Sequence, residues 1–478
     1  MKDLSLIIIG ASSVANSVIR MCTLFYPRVQ DIICVDDDPQ KRGTYCDKIP
    51  VQGSIDAVLK HTPSLLHHIV LITIPIYQKQ YIRKLYFLLK KYNVHTIHII
   101  SEPYFGDDRT LHPSDIRPLT ISDLIGHEYP YAPVQLSSNN YTGDNILVTG
   151  AGGSIGCEVL QQLLWRKPQK LILLDHSEDH LHSIYQTIDL LQKSGVSKKT
   201  KIIPLICNLR KESELQAILK HHAVQYLVHT AAYKHVYLME KNAYQAILNN
   251  IVSTYHLLNT ASQFNNLRFI HISTDKAVHP QGVYGASKLL AEWIALRFGS
   301  ISKGVVIRLG NIAGSRGSLL PALEKNIPIG TIYITSKKAK RYFISLAMAG
   351  SFILKVLAEA SPSYLYIPNM GTPLSIIKLA KEVITYLGFN PEKDIKIHIT
   401  GLRPGEKETE NVSYTHEIKE NTNIQGILKI KGTHVPPYKE LQLFIKSFHS
   451  LDPANDNKDH VAKNLLLDFI HRWIHEKI

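Results

Sequence analysis

Cysteine is scarce in this sequence. There are five in 478 residues (Cys22, Cys34, Cys46, Cys157, Cys207), an odd number with no C-x-x-C spacing. That excludes a disulfide framework and the usual zinc-ribbon and redox-pair patterns, and buried free thiols in a reducing cytoplasm are the expectation. Long apolar runs are missing as well. The longest uncharged stretch near the start, "LSLIIIGASSVANSVI", has 16 residues and includes Gly, Asn and four Ser. A membrane span takes about 20 mostly apolar residues, so no integral span is expected, peripheral association stays open, and no signal peptide is visible. Acid is in deficit: 40 Asp and Glu face 54 Lys and Arg, for a net charge of +14 and a pI of about 9.3. The basic residues are scattered, the densest runs being "KK" at 90–91 and "KKTK" at 198–201. No nucleic-acid partner is therefore expected; a basic surface or a phosphorylated small substrate accounts for the charge. There is no repeat or low-complexity tract, and no metal site is assigned.

What is present is a globular composition, 45% hydrophobic and 20% charged, in a chain long enough for two or three domains. Two segments begin alike. "LSLIIIG" at 4–10 and "NILVTG" at 145–150 are apolar strands running into glycine, each followed by a helical pattern and a second strand ending in acid, "DIICVDDD" at 31–38 and "KLILLD" at 170–175. The expected class is α/β, with two Rossmann-like doubly wound domains. The first covers 1–130 and the second 140–435, joined near 127–143 by a Pro/Ser/Asn-rich stretch. Further strands are expected near 201–206, 225–229, 268–273 and 304–308. A smaller C-terminal substrate-binding lobe starts at about 311, and 436–478 form a helical tail.

"VTGAGGSIG" at 148–156 follows a strand and opens a helix, with Gly150, Gly153 and Gly156 three apart. Glycine permits the tight turn and lets the backbone approach a pyrophosphate; the same triplet also suits a bare strand–helix turn. Asp175, at the end of the next strand, favours the dinucleotide. It can bind both ribose hydroxyls of NAD and repels the 2′-phosphate of NADP, a preference that His176 and Ser177 can soften. In the first unit "GASSVA" has one glycine, and Asp36, Asp37 and Asp38 are either a ribose site or a solvated turn. A degenerate nucleotide-binding domain is the expectation there.

The chemistry concentrates in "HISTDKAVHPQGVYGASK" at 271–288. Tyr284 and Lys288, four apart, share a helix face. A cationic Lys288 is expected to lower the phenol pKa so that Tyr284 can take a hydroxyl proton as hydride leaves. Asp275 and Lys276 stand just upstream. One reading is a second acid and base that eliminate water from a hexose oxidised at C4, with hydride returned at C6. This requires a protonated Asp275 and a neutral Lys276, which burial and the Lys288 cation would favour. The other reading is a surface salt bridge, worth little. Neighbours on a regular strand point to opposite faces, so the elimination reading also needs a bend at 275–276.

The second unit resembles the extended short-chain dehydrogenase/reductases and, more narrowly, the nucleotide-sugar 4,6-dehydratases of bacterial capsule, O-antigen and protein-glycan synthesis. The similar segments run in order from 147 to 407: "LVTGAGGSIG", "LLDHSE", "HTAAYKHVYLMEKNAYQAILNN", "ISTDKAVHPQGVYGASK", "RLGNIAGSRGSLLP", "KRYF", "IPNMGTP" and "GLRPGEK". The resemblance implies that Asp275 is the acid, Lys276 the base at C5, Tyr284 and Lys288 the oxidation pair, and Thr274 a sugar contact. It implies cofactor contacts from Ser154, Ile155, Asn208, Leu209, Tyr233, Asn250 and Ser273, beside the glycines, Asp175, His176 and Ser177. Ala231, Ala232 and Lys234 would line the cofactor and substrate cleft. Asn311, Arg316, Arg341, Arg403 and Glu406 would surround a nucleotide diphosphate, which suits the forked donors of arginine.

The implied reaction is the 4,6-dehydration of a UDP-N-acetylhexosamine, first of all UDP-N-acetylglucosamine, with NAD, or NADP in its place, tightly held and recycled. A homo-oligomer is implied too, relatives often assembling through helices of the catalytic domain. The first unit resembles the nucleotide-binding-like domain of the family's long members, in which membrane helices usually come first. Because this chain begins at that domain, a soluble or peripheral enzyme or a shortened chain is expected. Tyr237 and Ala243 stand where the family often has proline. A nucleotide-sugar epimerase, which does not need the Asp-Lys pair, and a non-catalytic nucleotide-binding sensor are the alternatives.

Overall fold

Short apolar runs rich in Ile, Val and Leu build most of both sheets, because such side chains fit a pleated, buried surface. The computed structural model describes residues 4–25, 29–62, 65, 68–101, 110–125 and 140–475. It divides into two compact units, Met1–Ser138 and Asn139–Ile478. The expected join at 127–143 lies outside the described residues as far as 139.

The first unit holds β1 (Leu4–Ile9), β2 (Val29–Val35), β3 (His68–Ile72), β4 (Ile97–Ile100) and β5 (Ile116–Pro118) in the order β2-β1-β3-β4-β5. All neighbours are parallel except β4 and β5. Ile7, Ile8 and Ile9 are fully buried, and α1 (Ser13–Phe25) lays Ala15, Val18 and Ile19 against the sheet.

The second unit is a nine-stranded sheet. In chain order its strands are β6 (Asn145–Thr149), β7 (Lys170–Asp175), β8 (Lys201–Ile206), β9 (Tyr226–His229), β10 (Arg268–Thr274), β11 (Val305–Leu309), β12 (Leu365–Pro368), β13 (Ile418–Asn421) and β14 (Ile427–Lys431). Their spatial order is β8-β7-β6-β9-β10-β11-β12-β14-β13. The run from β8 to β12 is parallel, and β14 and β13 close it antiparallel. The order reverses beside β6, the switch point where a doubly wound sheet opens its cleft. The region after 311 does not stand wholly apart. It forms three two-stranded ribbons, then sends β12, β13 and β14 back into the main sheet.

Helix α2 (Val283–Ser302) carries Tyr284 and Lys288. Seventeen of its 20 residues are buried, as a helix covered on both sides must be. One side packs on β10 and β11; the other meets α3 (Tyr438–His449) and α4 (Lys458–His475) of the tail. Glu240 caps its start: Oε1 accepts from the Val283 N–H at 2.6 Å, and Oε2 meets Lys463 of the tail at 2.8 Å. Among the described residues no helix is long and apolar enough to cross a membrane.

Candidate active site

The turn after β6 is shaped by close approach. Gly150 sits at φ +65, and a Cβ there would lie 2.8 Å from the Ala231 backbone; one on Gly156 would lie 2.3 Å from the Gly150 carbonyl oxygen. Gly152 is equally confined, 2.6 Å from the His180 carbonyl, although the triplet spacing passes over it. Gly153 then caps the 11-residue helix Ser154–Leu164, whose first turn, with Ser154 and Ile155, offers free N–H groups. Asp175, 4% exposed, holds the loop from the neighbouring strand. Its Oδ2 accepts from Gly152 N at 2.9 Å and its Oδ1 from Ser177 N at 3.0 Å. The His176 imidazole also stands 3.4 Å from Oδ1, so Oδ2 is the oxygen with capacity left for a ligand.

An open cleft of about 540 Å³ lies beside this turn, lined among others by Gly150, Asp175, His176, Asn208, Leu209, Ala231 and Tyr233. Arg210, Gln245 and Asn249 also line it and escaped the sequence reading. Asn250 lies in a π-helical turn, Leu248–Val252, a local widening frequent at functional sites. It clamps the cleft wall, accepting from Tyr233 N at 2.8 Å and donating to Tyr233 O at 3.0 Å and Ser287 Oγ at 3.1 Å. Ala232, expected on the same wall, is not one of the residues lining this cleft. A confined glycine turn, a helix N-terminus and an acid with spare capacity on one oxygen facing one cleft fit the pyrophosphate and ribose of a dinucleotide.

The required bend exists. β10 ends at Thr274, and Asp275–Ala277 form a single 3₁₀ turn capped by the Thr274 hydroxyl. This brings both side chains together: Lys276 Nζ lies 3.0 Å from Asp275 Oδ1 and 2.7 Å from Asn311 Oδ1. Thr274 Oγ1 donates to Asp275 Oδ1 at 3.0 Å. Asp275 is fully buried, so the pair is no surface salt bridge. Its Oδ2 is buried with no hydrogen-bond partner among the described residues, an expensive state that a ligand or a proton would relieve.

Two electrostatic expectations need correction. Burial works against the Lys276 ammonium, but the Asp275 and Glu410 carboxylates and the Tyr284 phenol outweigh it, and the pKa stands above the ordinary lysine value. Lys276 therefore rests as an ammonium ion and not as a neutral amine. Burial likewise pushes the Tyr284 phenol up; the cation that opposes this is Lys276 rather than Lys288. Lys288 Nζ donates to Ile272 O at 2.7 Å and faces His271 Nε2 at 3.4 Å. Burial brings its pKa down to about 8, against the pull of Glu292.

The residues expected around a diphosphate divide. Asn311 is on Lys276. Arg316 donates through Nη2 to Gly152 O at 2.6 Å, and Lys234 Nζ donates to Arg316 O at 2.6 Å, so both border the glycine turn. Arg341 is buried and donates to the carbonyls of Lys340, Lys407 and Glu408, which spends its fork inside the fold. Arg403 is exposed over the Tyr237 ring, and Glu406 accepts from its backbone N–H at 3.2 Å. Ser273 turns away from the cleft, its hydroxyl donating to Glu292 at 2.6 Å. Glu410, buried beside Lys407 at 2.7 Å, is the second carboxylate, after Asp275, that acts on Lys276. Its one sequence signal is its place just after "RPGEK".

The model of a polysaccharide biosynthesis protein family matches residues 146–432. A capsular polysaccharide biosynthesis protein, CapD of Staphylococcus aureus, is 31% identical over 90% of this chain and 72% of its own. An inverting UDP-N-acetylglucosamine 4,6-dehydratase of Campylobacter jejuni is 29% identical over 56% of this chain and 76% of its own. Among solved structures, Pen from Bacillus thuringiensis superposes with a TM-score of 0.54 at 24% identity, covering 65% of this chain and 99% of that one; that likeness concerns the fold alone.

Proposed function

The chain belongs to the polysaccharide biosynthesis protein family, and on that premise we propose that it removes water from a UDP-N-acetylhexosamine, UDP-N-acetylglucosamine first of all, leaving a UDP-linked 4-keto-6-deoxy sugar. The observation that carries this reading is the turn at 275–277. It sets Asp275 Oδ1 3.0 Å from the Lys276 ammonium and leaves the buried Oδ2 without a partner among the described residues, where oxidation and re-reduction at C4 alone would need neither group. The dehydratase name of the Campylobacter relative supports the same reading.

Tyr284 accepts the C4 hydroxyl proton. NAD, held by the glycine turn and Asp175, would supply the hydride acceptor for C4 and the hydride donor for C6. The resting ion pair and the working acid and base differ by one proton, moved along the 3.0 Å bond from Lys276 Nζ to Asp275 Oδ1. A sugar that seals the site from water favours the neutral pair, because two buried charges lose their solvation. The Lys276 amine then takes the C5 proton, Asp275 gives its proton to the departing C6 hydroxyl, and water leaves. As hydride reaches C6, the Lys276 ammonium returns a proton to C5 and recovers one from Tyr284, so the pair ends as ammonium and carboxylate with Tyr284 again able to accept a hydroxyl proton.

The test is to incubate the pure protein with NAD and UDP-N-acetylglucosamine and to weigh the nucleotide sugar. A product lighter by one water is expected. An unchanged mass with a new isomer would identify an epimerase instead, and an unaltered sugar would point to a nucleotide sensor.

A further inference from the structure

Behind the active-site helix lies a buried charge cluster that the reaction does not use. Arg308, on β11 and 1% exposed, is forked by two carboxylates that are each fully buried. Toward Glu292 its Nε donates at 2.9 Å and its Nη2 at 2.6 Å. Toward Glu417 its Nη1 donates at 2.7 Å and its Nη2 at 3.1 Å. Tyr414 N and Thr433 Oγ1 also donate to Glu417, at 2.9 and 3.1 Å. Two carboxylates against one guanidinium leave one negative charge in excess. Such triads are costly to bury and are no evidence of stability in themselves.

The excess has a nearby taker. Glu292 lies one helical turn after Lys288 on α2, so the two share a face. Among the described residues the Lys288 ammonium meets two uncharged groups, the Ile272 carbonyl and the His271 imidazole of β10, and the His229 ring of β9 lies 5.1 Å from that of His271. Burial, with the Lys288 charge, holds both imidazoles below the ordinary histidine value.

We propose that the Glu292–Arg308–Glu417 triad is the counter-charge that keeps Lys288 an ammonium ion, and that Glu417, far along the chain, is the positioning residue that makes this work. Without Glu417, Arg308 would cancel Glu292 and leave the ammonium buried alone. The inference rests on the reading of Tyr284 and Lys288 as the oxidation pair, but its test does not depend on turnover.

The experiment is a pH titration of the full chain labelled with [ε-¹³C]lysine, the Lys288 signal being the one absent from K288R. In the wild type its midpoint is expected near 8. In Glu417→Gln it should fall by about one unit, a tenfold loss of protonation at fixed pH. Thr433→Val, which removes a hydrogen bond to Glu417 without altering charge, should leave it in place. If Glu417→Gln does not fold, Arg308→Met/Glu417→Met replaces one charge of each sign, as other buried triads tolerate. That variant leaves the local charge unchanged, so its midpoint should not drop. A Glu417→Gln midpoint that is unchanged or raised, or a drop in the double variant, would overturn the proposal. Absence of dehydration in the wild type would instead sink the functional reading while this titration still decides the counter-charge.

Discussion

The two units wire their strand-end acids alike and put them to different ends. In the first, Asp36 Oδ2 accepts from Ala11 N at 2.7 Å and Oδ1 from Asp38 N at 2.9 Å. In the second, Asp175 Oδ2 accepts from Gly152 N and Oδ1 from Ser177 N. The bond from acid to loop is thus a property of the architecture and says nothing of a ligand. The difference lies around it. Lys41 Nζ sits 3.0 Å from Asp36 Oδ2, and Asp37 accepts from Ile55 N and Tyr81 OH, so the first unit's acids are consumed at home. Gly10 is the only glycine from β1 through α1, whereas four lie between 150 and 156. A Cβ on Gly10 would chiefly meet the Ile74 side chain, while one on Gly156 would meet backbone. The second unit differs in that glycine brings backbone close and that Asp175 is met by an exposed imidazole, His176 at 3.4 Å, where Asp36 is met by the Lys41 ammonium.

Substitutions can break or sharpen that contrast. The largest effect is expected at the 275–277 turn, to which the proposed dehydration assigns its acid and base. Lys276→Met or Asp275→Asn should cut the initial rate of dehydration by roughly 10²–10⁴-fold, with dinucleotide still bound. Next, calorimetry should find one dinucleotide per chain. Asp175→Ala should weaken it by about 10- to 100-fold, the worth of a hydrogen bond to a charged group, and Asp36→Ala should not; a second site per chain, or one lost with Asp36, would erase the distinction. Gly156→Ala should abolish tight binding and cost about 1–3 kcal/mol in denaturant unfolding through overpacking. The smallest effect belongs to the first unit. Burial raises the Asp36 pKa, but the Asp38 and Ala11 N–H groups and Lys41 outweigh it, leaving it below the ordinary value. A depressed carboxyl contributes stability above its unfolded pKa of about 3.9, lost as pH falls through the folded value. Asp36→Asn should therefore cost about 1 kcal/mol at pH 7 and progressively less toward pH 3.

Much of the cofactor half was legible because its signals are local. The run "NILVTG", the glycines and Asp175 each follow from backbone geometry within a few residues, and β6 to β11 fall where their apolar runs predict them. Gly152 was missed because its constraint comes from His180 on another helix. On the substrate side, composition alone could not tell Arg341, spent on backbone carbonyls, from Arg316, which borders the glycine turn. That depends on which loops the fold brings together. The charge states of Lys276 and Tyr284 were misjudged for the same reason: Glu410, 134 positions beyond Lys276, could not be weighed before it was placed.

By itself the sequence settled the α/β class and the two strand–glycine–helix units, and it put Asp275, Lys276, Tyr284 and Lys288 within one short stretch, since periodicity and glycine act over short stretches of chain. Only the tertiary structure decided that the strand bends at 275, that Asp275 is buried with one oxygen unpaired, and that Arg308 joins carboxylates 125 residues apart. Burial and charge balance are sums over everything nearby in space, and folding chooses those neighbours.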